Sequence, residues 1–523
     1  MSFINRLVWA VSIVGCLGAC GVSRAAEPRL DGILTEWTPS DLIATDPAGD
    51  SSGAFDVRSL YATNRGTRLF LRFDIGTTLN LQSGAAGDGT LRVQIGMPGG
   101  RALTIDMRNK SLWRDNNPAL TVTWSAVGYS TAPSYASDEF ELTVDLSTFG
   151  VVVGSPITIN FSSSDTLAAN ANYVMSNAAV TPIRRQAARS VETQFRIASV
   201  NTEQTGLLNA SQQPKLLRLV DAMNADIYCF QEEYNSSAAQ VKSLIQGVDP
   251  MEDGANWNVH KNNDCVIASR SPLLAMPSPN SATACAVIDL PAAGTADSVV
   301  VFSIHPKCCG YIGNSDDAQR ISQMSGLVTT LSNLRAGLLG AAFEPYRQAP
   351  AIIIGDWNLV GSRTPLDLVT NPSGPNMTDA VPAHLIGEDV TTWRGTSTGS
   401  GSFTPGRLDF LTYNAGGSLS MLRAFVFDSA TLNASELSAL GVLAGDSAAT
   451  DHNMLVGDFT FAAPPPPPCE GDADGDGVVN FADITSVLAN WGTSGPAGDA
   501  DHDGSVNFAD ITRVLASWGN TCP

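Results

Sequence analysis

The chain has 523 residues, too many for one ordinary domain, and its 43% hydrophobic and 15% charged residues predict folded units rather than disorder. Its net charge is −21 at pH 7. Because an acidic surface repels phosphates, this charge disfavours tight sequence-independent binding to nucleic acids or anionic membranes. We expect two to four domains.

The first residues have the pattern of an export signal. Arg6 gives a positive start, and the apolar stretch from Leu7 to Val22 is short for a membrane span. Small residues around Ala25 favour cleavage there, so residues 1–25 are predicted to be removed. Cys20 ends a segment that resembles a lipobox, which leaves a lipoprotein anchored through Cys20 as the alternative. We expect a secreted or cell-surface protein without a transmembrane helix.

Residues 27–185 have the pattern of an all-β sandwich. Runs such as 68–73 alternate apolar and polar residues, and clusters of Gly, Pro and Asn separate them. The opening Leu-Asp-Gly at 30–32, followed by Trp37, makes this region similar to family 9 carbohydrate-binding modules. That resemblance implies a glycan partner. The alternative is a packing module whose Trp37 fills the core.

Residues 191–462 have the pattern of an α/β domain. Apolar runs typical of strands alternate with helical patterns, as at 214–224 and 317–334. A proline linker at 463–468 follows and is expected to be stiff and extended. The chain therefore combines a β-sandwich, an α/β domain and a last segment, 469–523, that repeats itself.

The repeat has the oxygen pattern of a calcium loop. Residues 471–485 recur as 498–512, and each copy places side-chain oxygens at loop positions 1, 3, 5, 9 and 12 with glycine at position 6. A hard ion with about seven oxygen ligands, such as Ca²⁺, requires this arrangement. The predicted calcium ligands are Asp472, Asp474, Asp476, Val478, Asn480, Asp483, Asp499, Asp501, Asp503, Ser505, Asn507 and Asp510.

Aspartate at position 12, with a single helix expected after each loop, makes the two copies similar to type I dockerin repeats. The resemblance implies a small α-helical calcium-binding module and a cohesin as a candidate partner. Cys469 and Cys522 bracket the repeats and are predicted to form a disulfide. A bridge from the vicinal pair 308–309 to Cys265 or Cys285 is one further option, because spacing does not determine connectivity.

Six polar motifs, each at the end of an apolar strand, follow one another in the α/β domain. They contain Asn201, Gln231-Glu232, His305, Asp356-Trp357-Asn358, Arg407-Leu408-Asp409 and Asp451-His452. This ordered set resembles the endonuclease/exonuclease/phosphatase superfamily. The resemblance implies a four-layer α/β sandwich, with two packed mixed sheets flanked by helices, and a site at the edge where the strand ends converge.

The same resemblance implies a metal site. Hydrolysis of a phosphodiester needs a divalent cation to neutralise developing charge and a base to activate water. Glu232 is implied as the main ligand of Mg²⁺ or Mn²⁺, with Asn201 and Asp451 nearby. Oxygen donors of this kind are those that Mg²⁺ prefers.

The resemblance also assigns the proton-transfer and phosphate-binding groups. His452 is implied as the general base, with Asp409 accepting the proton of its other ring nitrogen. Asp356 and Asn358 would position water or the phosphate. His305 would donate to a phosphate oxygen or to the leaving group. Two cations beyond this set, a lysine at 307 and an arginine at 320, could contact phosphate or be surface charges.

The substrate is less closely defined by the sequence. Residues 191–461 contain 14 basic and 26 acidic residues, which disfavours electrostatic capture of a long polyanion. We expect an exported metal-dependent phosphodiesterase, either a nuclease or a general phosphodiesterase. The alternatives are a phospholipase-, sphingomyelinase- or phosphatase-type hydrolase acting on a lipid or small phosphate ester, and a non-catalytic glycan- or cohesin-binding surface protein.

Overall fold

The structure is a computed structural model. It describes residues 27–51, 53–85, 88–251, 254–292, 295–395, 403–414, 419–461, 470–495 and 497–521. The predicted export signal, the proline linker and both cysteines of the predicted disulfide, Cys469 and Cys522, lie outside the described residues. Within them, no helix is both long enough and apolar enough to cross a membrane.

The N-terminal region forms two antiparallel sheets packed face to face. Its strands are β1 (Leu42–Thr45), β2 (Ser59–Arg65), β3 (Arg68–Leu79), β4 (Leu91–Met97), β5 (Arg101–Asp106), β6 (Ser111–Arg114), β7 (Thr121–Val122), β8 (Ser130–Ala132), β9 (Ser137–Asp145), β10 (Pro156–Ser163) and β11 (Ala171–Val174). One sheet has the order β1-β2-β3-β9-β8, and the other has the order β11-β10-β4-β5-β6-β7. Alternate residues such as Phe73, Val93 and Phe161 face a shared core. The predicted all-β region is confirmed.

Trp37 belongs to a small hydrophobic cluster of this sandwich. Its ring is buried and lies edge-on to Tyr61. Its Nε1–H donates a hydrogen bond of 2.6 Å to Oε1 of Glu141, a buried carboxyl whose pKa burial raises to about 8. The position fits the packing interpretation of Trp37, because a buried ring offers no face to a sugar. Glycan binding stays a prediction.

The central domain is built from two mixed sheets. Its strands are β12 (Phe195–Asn201), β13 (Ile227–Gln231), β14 (Asn258–Asn262), β15 (Cys265–Ser269), β16 (Leu273–Ala275), β17 (Thr283–Ala292), β18 (Thr295–Ile304), β19 (Ala351–Asp356), β20 (Thr378–Asp379), β21 (Ala383–His384), β22 (Asp409–Tyr413), β23 (Leu419–Phe427) and β24 (Met454–Phe461). Its helices are α1 (Gln213–Met223), α2 (Ala238–Val248), α3 (Ser315–Arg335), α4 (Thr364–Thr370) and α5 (Ala434–Leu440). The sheet orders are β14-β15-β13-β12-β24-β23-β21 and β16-β17-β18-β19-β22-β20.

Three apolar layers hold these sheets and helices together. Ile197, Ile354 and Leu455 belong to the core between the two sheets. A second core packs α1 and α2 on the seven-stranded sheet, and a third packs α3 and α4 on the six-stranded sheet. Strands covered on both faces explain the continuous apolar runs of the sequence. The predicted four-layer α/β sandwich is confirmed.

The C-terminal repeats form two loops, each followed by one helix, α6 (Phe481–Ala489) and α7 (Phe508–Ala516). Within each loop three predicted ligands converge, with ligand oxygens within 4.8 Å of one another. They are Asp472, Asp474 and Asp483 in the first loop and Asp499, Asp501 and Asp510 in the second. The side chains at positions 5 and 9 also accept main-chain N–H groups of their own loops, and position 9 caps the helix. Calcium binding by the repeats stays a prediction.

Candidate active site

The predicted site residues meet at one edge of the central sandwich. β12 and β13 run parallel with Asn201 beside Gln231, so Glu232 follows directly at the same edge. In the facing sheet, Asp356 of β19 lies opposite Asp409 of β22. The strand ends surround a cleft of about 500 Å³. Its lining includes Glu232, His305, Asp356, Asn358, Asp451 and His452.

Asn201 links the two sheets at the base of the cleft. Its Nδ2 donates to Oε1 of Glu232 at 3.2 Å and to Oδ2 of Asp356 at 3.1 Å. The other oxygen of Glu232 accepts hydrogen bonds from the main chain and side chain of Gln204. Glu232 has a φ of 61°, a conformation that costs energy for a residue with a Cβ and often marks functional sites.

His452 is paired with Asp409, as the resemblance implied. Its Nδ1 lies 2.8 Å from Oδ2 of Asp409, and both side chains are buried. Its Nε2 faces the cleft, 3.7 Å from Oδ2 of Asp356. Burial alone would lower the pKa of His452, but the charges of Asp409 and Asp356 outweigh it and raise that pKa to about 10.

His305 forms a second histidine–carboxylate pair. Its Nδ1 is hydrogen-bonded to Oδ2 of Asp264, and its Nε2 lies 3.6 Å from Oδ2 of Asp356. Burial lowers the pKa of His305, but Asp264, Asp356 and Glu232 together raise it to about 9. Sequence reasoning missed Asp264, which lies in the turn before β15. The available signal was a carboxylate next to an apolar strand that pairs with β13.

Asp356 lies between the two histidines and is buried. Burial is the main reason that its pKa is raised; Asp409 raises it further, whereas His452 and His305 lower it. Asn358 supports it, since its main-chain N–H donates to Oδ1 of Asp356 and its Nδ2 donates to Oδ2. Asp356 and Asn358 thus act as one unit on the floor of the cleft.

The donor set of the cleft fits a hard divalent cation. Carboxylates of Glu232, Asp356 and Asp451 line the cleft, and Mg²⁺ or Mn²⁺ prefers such oxygens. Asp451 lies at the His452 side, with Oδ1 3.9 Å from Nε2 of that histidine. Among the described residues of the cleft, Asp356, Asp409 and His452 place candidate ligand atoms within 4.8 Å of one another. Glu232 is linked to this group by Asn201, which donates hydrogen bonds to both Glu232 and Asp356.

Residues 200–452 match the model of the Endonuclease/Exonuclease/phosphatase family. The central domain belongs to this family. Members of the family are hydrolases that act on phosphodiester bonds. Comparison with curated proteins gives no match.

Solved structures show likeness over about half of the chain. The human Nocturnin catalytic domain with bound sulfate is 16% identical, covering 54% of this chain and 97% of its own, with a TM-score of 0.34. Staphylococcus aureus beta toxin with bound magnesium ions is 14% identical, covering 51% and 99%, with a TM-score of 0.31. The AP endonuclease of Leishmania major is 12% identical, covering 54% and 93%, with a TM-score of 0.35.

Near the site of the endonuclease/exonuclease/phosphatase domain, Arg320 is buried beneath a loop, whereas Lys307 lines the cleft. Arg320 is fully buried and holds the loop after His305, donating to the carbonyls of Lys307 and Cys309. It is neither a surface charge nor a phosphate contact. Lys307 lines the cleft, with Nζ 3.8 Å from Oδ1 of Asp316, and is the one lysine or arginine among the described lining residues.

The cysteines of this domain are free thiols in the structure. Cys265 and Cys285 are buried in strands, and the vicinal pair 308–309 lines the cleft. The proposed bridge from that pair to Cys265 or Cys285 is therefore wrong. The reason is position, because the buried thiols lie within two different apolar cores whereas the pair lies on a loop.

The β-sandwich docks against loops of the endonuclease/exonuclease/phosphatase domain. Nδ2 of Asn80 donates to the carbonyl of Val360 at 2.8 Å. Oγ of Ser134 lies 2.8 Å from the carbonyl of Leu359 and 3.0 Å from that of Arg407. These carbonyls lie within two residues of Asn358 or Asp409, so the sandwich supports the loops that carry both.

Close packing continues this contact. The rings of Trp124 and Trp393 lie 6.3 Å apart, and the main-chain N–H of Thr131 donates to the carbonyl of Pro405 at 2.9 Å. A Cβ at Gly406 would lie 2.7 Å from the carbonyl oxygen of Thr131, so glycine is required there. The contact is a fitted interface rather than a tether between separate modules.

Proposed function

We propose that the protein is a metal-dependent phosphodiesterase that acts outside the cytoplasm. The observation that carries the proposal is that two histidines, His452 buried and His305 largely buried, each place a ring nitrogen close to the same carboxylate. Nε2 of His305 and Nε2 of His452 lie 3.6 and 3.7 Å from the same oxygen of Asp356. Each Nδ1 is held by its own carboxylate, so both reactive nitrogens point into the cleft.

The two histidines are suited to different roles in proton transfer, His305 as a donor and His452 as an acceptor. With a pKa of about 9, His305 is protonated at neutral pH and can donate to a phosphate oxygen or to the leaving group. His452 is the proposed base, and Asp409 would stabilise its imidazolium and fix its tautomer. With a pKa of about 10, His452 is already protonated at neutral pH and cannot act as a base. Compensation of the negative charge on the neighbouring carboxylates would lower this pKa and leave the ring free to accept a proton.

A divalent cation bound by the carboxylates of the cleft would compensate their negative charge. A divalent cation held by Glu232, with Asn201 and Asp451 nearby, would neutralise the charge that develops on the phosphate. Asp356 and Asn358 would hold the attacking water or the phosphate against this group. The proposed roles use all eight residues of the predicted site and add Asp264 to them as the partner of His305.

The walls of the cleft indicate the kind of diester. Lys307 is the lysine of the lining, so the cleft has little capacity to track a long polyanion. Tyr234, 44% exposed, is the exposed aromatic ring of the described lining, whereas Trp393 and Phe403 are buried at its edge. An exposed ring favours substrates with a base or an aryl group beside the phosphate. The same ring could contact a lipid, so a phospholipase-type hydrolase is the second candidate.

A substrate panel tests the proposal. Plasmid DNA, RNA, sphingomyelin and bis-p-nitrophenyl phosphate would be incubated with the full chain and Mg²⁺, Mn²⁺ or Ca²⁺, with EDTA as control. We expect turnover of the activated diester that requires Mg²⁺ or Mn²⁺, and the natural substrates then separate nuclease from phospholipase. Absence of any metal-dependent turnover across the panel would favour the non-catalytic alternative.

A further inference from the structure

A further group of carboxylates converges in the β-sandwich, and none of its members is a predicted ligand. Asp46, Asp50 and Asp165 each place one ligand oxygen within 4.8 Å of the others. Asp46 directly follows β1, and Asp165 lies two residues after β10. Because β1 and β10 belong to different sheets, the group lies where the two sheets meet.

Two of these carboxylates are buried. Asp46 is 9% exposed and Asp165 is 8% exposed, whereas Asp50 is exposed on its loop. Oδ1 of Asp46 accepts the main-chain N–H of Ala168 at 2.8 Å. Oδ2 of Asp46 is buried and has no hydrogen-bond partner among the described residues. A buried carboxylate oxygen without a donor is costly, and such atoms are rare unless an ion or water completes them.

The group also has no compensating side chain. Among the described residues, no lysine or arginine forms an ion pair with Asp46, Asp50 or Asp165. The oxygens of Asp165 accept main-chain N–H groups from Val57 and Thr166, at 2.7 and 2.8 Å. These dipoles orient the carboxylate but leave its charge in place. Buried charges in folded proteins are paired or coordinate metals.

We infer that Asp46, Asp50 and Asp165 bind a calcium ion between the two sheets of the β-sandwich. The donors are all oxygens, without histidine or cysteine, which disfavours zinc and other transition metals. Ca²⁺ accepts six to eight oxygen ligands in flexible geometry, so it tolerates one exposed aspartate and several waters. Mg²⁺ demands near-ideal octahedral geometry, which suits this mixture of a loop and two strand ends less well.

The ion would link the two sheets of the β-sandwich. It would join the loop after β1 to the segment after β10, adding a cross-sheet link to the hydrogen bond between Asp46 and Ala168. A ligand that binds only the folded state stabilises it. The ion would therefore raise the thermal stability of the sandwich without taking part in catalysis.

The test uses the full chain with its repeat loops disabled by Asp472→Ala and Asp499→Ala. Bound calcium would be counted by atomic emission after equilibrium dialysis against Ca²⁺ in excess Mg²⁺. We expect one Ca²⁺ per chain in this background and a rise in melting temperature with Ca²⁺. Asp165→Asn should remove both effects. The control Asp138→Asn, which changes the same charge at an exposed position of β9, should keep both.

A second variant covers the case in which Asp165→Asn does not fold. Asp50→Asn changes an exposed loop residue, so circular dichroism should stay unchanged while calcium affinity falls by about tenfold or more. If the background chain retains no calcium, the site does not exist. If Asp50→Asn and a folded Asp165→Asn bind calcium as tightly as the Asp138→Asn control, the ion is held elsewhere and the assignment is wrong.

Discussion

Replacing Asp409 by asparagine tests whether it acts through His452. The two side chains are buried and joined by a 2.8 Å contact. Two unit charges about 4 Å apart interact by about 4 kcal/mol at an effective dielectric constant of about 20, which corresponds to about three pKa units. Asp409→Asn should therefore lower the pKa of His452 from about 10 by at least about two units.

NMR titration of the histidine rings measures this shift. The chain has 5 histidines, so the His452 signal can be assigned by its absence from His452→Ala. The matched control is Asp367→Asn, an exposed aspartate paired with Arg363, which should leave the His452 titration unchanged. An unchanged pKa in Asp409→Asn would show that Asp409 does not set the charge state of His452.

Turnover of one activated diester completes the test. His452→Ala should lower turnover by at least about a thousandfold, within the range typical of acid–base catalysis. Asp409→Asn should cost less, and the double variant should be little worse than His452→Ala alone, because residues that act as a unit are not additive. If the two losses multiply, the two residues do not work as a pair, and Asp409 belongs to the metal site instead.

Three further predictions concern pH, the sandwich and the repeats. The pKa values of His305 and His452 are raised from 6.5 to about 9 and about 10. Their contribution to stability is therefore fully present below about pH 6.5 and is lost as pH rises through 9 and 10. In EDTA the melting temperature should fall between pH 7 and 10, and a flat profile would contradict this. Ser134→Ala should lower kcat by about tenfold with little change in KM, because misplaced catalytic loops lose rate. The control Ser176→Ala, at an exposed residue, should change neither constant. Equal kinetics of the two variants would show that Ser134 does not support the loops that carry Asn358 and Asp409. Calcium chelation should expose residues 470–521 to limited proteolysis and leave the central domain intact, and an unchanged cleavage pattern would show that the loops are not calcium sites.

The strand ends of the site could be predicted from the sequence. Asn201, Glu232 and Asp356 each follow a run of residues that the structure shows to be buried in a strand. Parallel pairing of β12 with β13 and of β18 with β19 then brings those ends to one edge. The predicted helices at 214–224 and 317–334 correspond to α1 and α3. Periodicity is sufficient here because each element packs against a sheet.

Contacts between distant loops could not be predicted in this way. Asp264 pairs with His305 across 41 residues, and its turn carries no motif of its own. Arg320 donates to Oδ1 of Asp317 and to two main-chain carbonyls, and the carbonyl contacts leave no trace in sequence. The same holds for Asn80 and Ser134, whose partners are carbonyls of loops more than 200 residues away. Such contacts depend on tertiary position, and any residue type supplies the acceptor.

The metal-dependent site is the central claim, and Glu232→Gln tests it most directly. The substitution removes the charge of the proposed main ligand at nearly constant shape and keeps one oxygen that can accept from either Asn201 or Gln204. The control Glu344→Gln makes the same change at an exposed residue. Turnover of bis-p-nitrophenyl phosphate would be measured against Mg²⁺ and Mn²⁺ concentration for both variants, with circular dichroism to monitor the fold. We expect Glu232→Gln to be folded yet to lose metal-dependent turnover, with Glu344→Gln unchanged; undiminished metal-dependent turnover in Glu232→Gln would contradict the metal assignment.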